Sequence, residues 1–268
     1  MDPFAAKSPT WKVLLVAGVG FVLLDVYSYL PVLLSGGPGM FVAVGVSFFF
    51  LAHAWGRLTG AGGLRGYGFF RHMGWGRNLA LGFAAGFAVK GLAYGVEWAL
   101  GGFRFEGFID FAPLAVLLAQ ALVGMFLSSA MDDVLIRGYV FRHLSPLLPS
   151  RALIFVTTVL YILNHAVYAQ MTLLNCALWA ALGLAFALAL ARTGSLWLSI
   201  GLHWGGNVMY RVRSGFDPQQ GGMVRLTELP QPEWFGWLSV GAMVLMLVAT
   251  FPLSRFSAKV EPTTGSGS

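Results

Sequence analysis

An all-α bundle of about eight transmembrane helices around an internal polar cavity is the fold class this sequence predicts. Three observations carry that expectation. Hydrophobic residues make up 57% of the 268 positions and charged residues only 10%, where a soluble domain carries about a quarter of charged residues. Apolar runs of bilayer length recur from one end of the chain to the other, and mean hydropathy is +0.73. The runs are continuously apolar and rich in Leu, Ala, Val and Gly, without the two-residue alternation of a membrane β-barrel.

The first run, roughly residues 13–35, follows Lys7 and Lys12 as a signal peptide would. It is longer than a signal-peptide apolar region and lacks an A-x-A cleavage site, so a retained helix is expected. Further runs at roughly 39–56, 79–100, 112–141, 151–170, 172–191, 195–211 and 234–253 each approach the length of one crossing. Within the third run, Gly82-xxx-Gly86 and Gly91-xxx-Gly95 have the spacing that brings helix backbones together. No long polar linker divides the runs, so residues 1–268 read as one domain, ending in a Gly/Ser-rich flexible tail at about 258–268. The longest pieces between runs are 57–78, Gly-rich and basic, and 212–233, which holds Pro218, Gln219 and Gln220.

Charge sets an orientation. Lys7, Lys12, Arg57, Arg65, Arg71, Arg77, Arg142, Arg151, Arg192, Arg255 and Lys259 fall on one side, against Arg104, Arg211, Arg213 and Arg225 on the other. The positive-inside rule then places both termini in the cytoplasm, for which a bacterial cytoplasmic membrane is the expected setting. The net charge of +6 follows from that bias, and no extramembrane piece is long enough to form a basic nucleic-acid surface. Cys176 is the only cysteine, which excludes an intrachain disulfide and a thiolate metal cluster.

Polar side chains interrupt three of the runs: Asp132-Asp133-xxx-Arg137, Tyr161-xxx-His165 and His203-xxx-Asn207. Ionisable groups at membrane depth are costly and mark function. Asp133 and Arg137 share a helix face, and Asp132 points about 100° away. The arginine can thus neutralise one aspartate and leave the other facing a cavity. Gly201, Gly205 and Gly206 surround the His203-Asn207 pair and are expected to admit a substrate backbone. At 1.5 Å per residue, Asp132 lies roughly 15 Å from Arg142, His165 roughly 21 Å from Arg151, and His203 and Asn207 roughly 12 and 18 Å from Ser195. These depths bring the clusters to one level near mid-bilayer.

A carboxylate and an imidazole at such a site can activate water, while a second imidazole and a carboxamide can stabilise a tetrahedral oxyanion. That is peptide hydrolysis without a covalent nucleophile or cofactor. Zinc on Asp132, His165 and His203 is a weaker alternative, as no H-E-x-x-H is present. Ser128, Ser129 and Ser195 lack the context of a serine nucleophile, and Gly215-Phe216-Asp217-Pro218 does not match an aspartyl element. A transporter with Asp25, Lys90 and Glu97 in a proton relay is a third class; pairing of Lys90 with Glu97 between spans is its structural counterpart.

The ordered set of an acidic pair followed by Arg137-Gly138, then an aromatic-xxx-His, then His-xxx-Asn resembles the CPBP family over about residues 113–210. That family includes CAAX prenyl endopeptidases, bacterial Abi proteins and bacteriocin-processing or immunity proteins. The resemblance implies an eight-helix bundle with a water-accessible chamber and a glutamic-type intramembrane endopeptidase. Its substrate would be a membrane-tethered or lipid-modified protein, cut near its C-terminus among membrane lipids. By the resemblance Asp132 is the general base, His165 binds the water, His203 and Asn207 stabilise the oxyanion, and Asp133, Arg137 and Tyr161 support the site. Where the family carries Glu-Glu this sequence has Asp132-Asp133. A catalytically inactive peptide-binding or immunity protein is the alternative that this departure leaves open.

Overall fold

The computed structural model describes residues 9–167, 169–217 and 221–260. Lys7, the segment Pro218 to Gln220 and the tail beyond residue 260 lie outside the described residues. Proline, threonine and glycine set the helix ends. Helix α1 (Thr10–Ser28) follows Pro9, and the single turn α2 (Leu30–Leu33) and α3 (Pro38–Leu58) carry proline in their first turns, where a missing N–H costs nothing. The short α4 (Gly63–Gly66) leads to α5 (Trp75–Ala99) and then to strand β1 (Phe103–Phe108). One long rod follows, made of α6 (Phe111–Asp132), a π-helical turn over Asp133–Tyr139 and α7 (Val140–Leu144). Pro149 precedes α8 (Ser150–His165). Helix α9 (Leu173–Thr193) is capped by the Thr172 hydroxyl, which accepts from the Asn175 N–H, and ends on Gly194 at φ 70°. After α10 (Trp197–Ser214) come strand β2 (Val224–Glu228) and α11 (Gly236–Phe256).

Among the described residues, six helical segments are long and apolar enough to cross a membrane, with the rod Phe111–Leu144 counting as one. Helix α8 has only 16 residues, and α10 carries His203, Asn207, Arg211 and Arg213. Both pack within the bundle, α8 against α9 and α10 against α5. Residues Trp197 to His203 of α10 are all buried, so other helices solvate it and it needs no lipid-facing apolar surface.

One end of the bundle gathers residues 59–74, 142–149, 193–196 and 254–260. Leu196 N–H donates to the Gly68 carbonyl at 3.0 Å and Trp197 Nε1 to the Phe70 carbonyl at 2.7 Å. Asn78 exchanges two 2.8 Å bonds with Ala258, and Arg142 Nε donates to the Ala61 carbonyl at 3.0 Å. These are segments that the charge bias assigned to a single side. The opposite end holds β1 and β2, paired antiparallel from Phe103 opposite Glu228 to Phe108 opposite Val224, with a bulge at Gly107. This small sheet adds to the all-α expectation. Its signal is the apolar/charged alternation of Phe103-Arg104-Phe105-Glu106, the period-two pattern of a strand.

Helices α5 and α10 make the closest crossing. A side chain at Gly82 or Gly86 would strike the carbonyls of Leu198 or Leu202, and one at Gly201 or Gly205 would strike those of Leu79 or Phe83. Gly82-xxx-Gly86 is therefore a packing motif, as its spacing indicates. Gly91 meets only the Met209 side chain and Gly95 faces open space. The expected opening for a substrate at Gly201 and Gly205 is filled by the α5 backbone. Gly206 has the Gly86 carbonyl and the Met246 methyl at 3.9 Å.

Candidate active site

The site is built around the π turn. Asp132 closes α6 and Asp133 opens the wider turn, whose seven residues are all buried; such insertions in a helix gather at functional positions. Asp133 Oδ1 accepts from Arg137 Nη1 at 2.6 Å and from Ser199 Oγ on α10 at 2.8 Å. Its Oδ2 lies 3.6 Å from His203 Nδ1. The Arg137 guanidinium sits between the faces of Tyr161 on α8 and Phe186 on α9, 4.6 and 4.8 Å from the ring centroids. Four elements thus converge on one fully buried ion pair. A buried pair of this kind is favourable only when further partners satisfy both ions; Ser199 and the two rings supply part of this, while Asp133 Oδ2, Arg137 Nε and Nη2 and His203 Nδ1 are buried without a hydrogen-bond partner among the described residues.

His203 stacks on Phe186 at 4.8 Å and meets Tyr161 edge-on at 5.9 Å. His165 packs on Tyr161 at 4.2 Å and on Trp179 at 5.4 Å, with its Nδ1 2.9 Å from the Tyr161 carbonyl. If Nδ1 donates to that carbonyl, Nε2 is left as an acceptor. Asn207 Nδ2 donates to Ser129 Oγ at 3.2 Å, one turn before Asp133. Asp132, His165 and Asn207 are half-buried, whereas Asp133, Arg137, Tyr161 and His203 are buried.

All seven residues singled out in the sequence therefore surround one cluster. Asp133 and Arg137 pair as their spacing indicates, and Asp132 makes no hydrogen bond or ion pair with them. Four cavities, of about 640, 410, 380 and 260 Å³, lie at the ends of the bundle, and none of the seven lines them. Among the described residues no three His, Cys, Asp or Glu side chains converge to hold a metal ion.

Sequence reasoning passed over four contributors. Ser199 precedes His203 by four residues and Ser129 precedes Asp133 by four, a same-face signal that was available. Phe186 lies in an unbroken apolar run and gave no signal. Asp25 accepts from Asn164 Nδ2 at 3.1 Å, and Tyr29 donates to the Asn164 carbonyl at 2.8 Å, so α1 holds the end of α8 beside His165. Asp25 had been grouped with Lys90 and Glu97 in a relay. Glu97 instead pairs with Arg213 at 3.0 Å, and Lys90 lies over the Tyr94 ring at 4.9 Å.

Residues 113–209 match a family described as type II CAAX prenyl endopeptidase Rce1-like. No curated protein and no solved structure matches the chain.

Proposed function

Because residues 113–209 match the type II CAAX prenyl endopeptidase Rce1-like family, we propose that this membrane protein is an intramembrane endopeptidase cleaving near the C-terminus of a membrane-tethered or lipid-modified protein. In this reading Asp132 is the general base. It removes a proton from a water that His165 Nε2 helps to hold, and the hydroxide attacks the scissile carbonyl. His203 and Asn207 donate hydrogen bonds to the oxyanion. The proton taken by Asp132 passes to the leaving amine, and neither metal nor cofactor takes part. Asp133 keeps the His203 ring oriented through Nδ1, as a carboxylate commonly does for a working imidazole.

One observation carries this reading: Asp133 binds Arg137, Ser199 and faces His203 at once, so the polar residues of the π turn and α10 occupy one level beside Tyr161 and His165. The charge bias supports a bacterial cytoplasmic membrane with both termini inside.

The test is turnover of prenylated C-terminal peptides by purified protein in vesicles, together with mass spectrometry of membrane-anchored proteins from cells with and without the protein. Asp132→Asn, His165→Ala and His203→Ala each abolish cleavage in this reading. Full turnover in a folded variant removes that residue's role. Substrates left intact by the parent protein in both assays overturn the endopeptidase and leave a peptide-binding protein.

A further inference from the structure

At the end of the bundle opposite the basic loops, the β1–β2 sheet separates two adjoining cavities. One, of about 640 Å³, is lined by polar groups that include Arg211, Arg225 and Glu106. The other, of about 410 Å³, is walled by Trp98, Phe103, Phe105, Phe108 and Met209. They share Arg213, Val224 and Leu226. The three arginines differ in their partners. Arg213 is neutralised by Glu97 and Glu228, each at 3.0 Å, and Arg225 has Asp110 at 3.5 Å. Arg211 has no carboxylate within ion-pair distance among the described residues. Its Nη1 is pinned by the Gly215 carbonyl at 2.9 Å, its plane lies near the Tyr210 and Phe216 rings, and its Nε is buried without a hydrogen-bond partner. A half-buried guanidinium with no anion is a costly arrangement, and its planar donors suit a phosphate.

We propose that this pair of cavities binds a membrane phospholipid, with the headgroup phosphate on Arg211 and an acyl chain in the aromatic groove. Charge complementarity selects the phosphate, and the continuous apolar wall selects the chain. Exposed Trp98, Phe108, Phe111, Trp234 and Trp237 crowd this end, the arrangement of an interfacial aromatic belt at headgroup level. Apart from Met209 the site lies outside residues 113–209, and it follows the turn of α10 that carries Asn207. It is independent of whether the protein cleaves peptides.

The experiment is native mass spectrometry of the full chain released from detergent, titrated separately with phosphatidylglycerol, a diacylglycerol of the same chains, inorganic phosphate and a prenylated peptide with a free carboxylate. Phosphatidylglycerol is expected to be retained, and Arg211→Gln to weaken retention at least about tenfold, as for loss of a charged hydrogen bond. Arg211→Lys recovers part of it, and Trp98→Ala weakens phospholipid but not phosphate. Hydrogen exchange over residues 221–228 slows on lipid addition in the parent and not in Arg211→Gln, which separates a lost site from a lost fold. Equal retention by parent and Arg211→Gln overturns the proposal. So does diacylglycerol binding as well as phosphatidylglycerol, or displacement of the lipid by the peptide at lower concentration.

Discussion

Asp132 and Asp133 are neighbours in sequence with opposite circumstances. Asp133 is locked by Arg137, Ser199 and His203; Asp132 is half-buried and has no hydrogen-bond donor among the described residues. Their substitutions should separate accordingly. Asp133→Ala leaves Arg137 buried without its carboxylate, and a thermal melt should show a loss of about 3–5 kcal/mol. Asp132→Asn should melt with the parent and lose only cleavage. Asp132→Glu tests reach: an extra methylene moves the carboxylate by about 1 Å, and turnover in the peptide assay should fall about 100-fold. A rise on Asp132→Glu would show instead that the shorter side chain has disabled the site. The partition between the two aspartates was legible from the spacing of Asp133 and Arg137. The role of Phe186 was not, since a ring stacked on a histidine and over a guanidinium looks, in sequence, like any other core phenylalanine.

Among the elements, α5 and α10 are held by backbone contact across four glycines. That contact fixes where His203 and Asn207 stand relative to the rod. Gly86→Leu or Gly205→Val drives a side chain into a carbonyl of the facing helix, so a loss of about 1–3 kcal/mol is expected in thermal unfolding, with cleavage falling in step. Gly124→Ala is the control: it has open space around it within α6, and removing a helical glycine should stabilise by about 0.5–1 kcal/mol. The α5 half of this packing motif was readable from Gly82-xxx-Gly86. The α10 half was misread as room for substrate, because glycine spacing reports that something approaches and not what. Likewise, the α1 contact through Asp25 and Asn164 joins residues 139 apart, a pairing that no local pattern encodes.

Across the whole molecule, the expected bundle and its two faces agree with the hydrogen bonds that tie residues 59–74 to 193–196 and 254–260. Span counting was less secure. Helix α8 is short and α10 polar, and both owe their place to neighbours that solvate them, a tertiary property absent from a hydropathy window. Sidedness can be checked directly in a Cys176→Ala background. Thr227→Cys on β2 should react with a membrane-impermeant maleimide in intact cells, and Arg65→Cys only after lysis; the reverse pattern would invert the proposed orientation.

The π turn at Asp133–Tyr139 has a consequence for how this rod is oriented. It is a phase shift: the wide turn absorbs one residue, and relaxing it to α pitch at the same length would rotate one half of the rod against the other by about 100°. Aspartate and arginine would then keep their identities and lose their bearings. The pitch of this stretch, and not its side chains alone, therefore sets where both halves of the rod face.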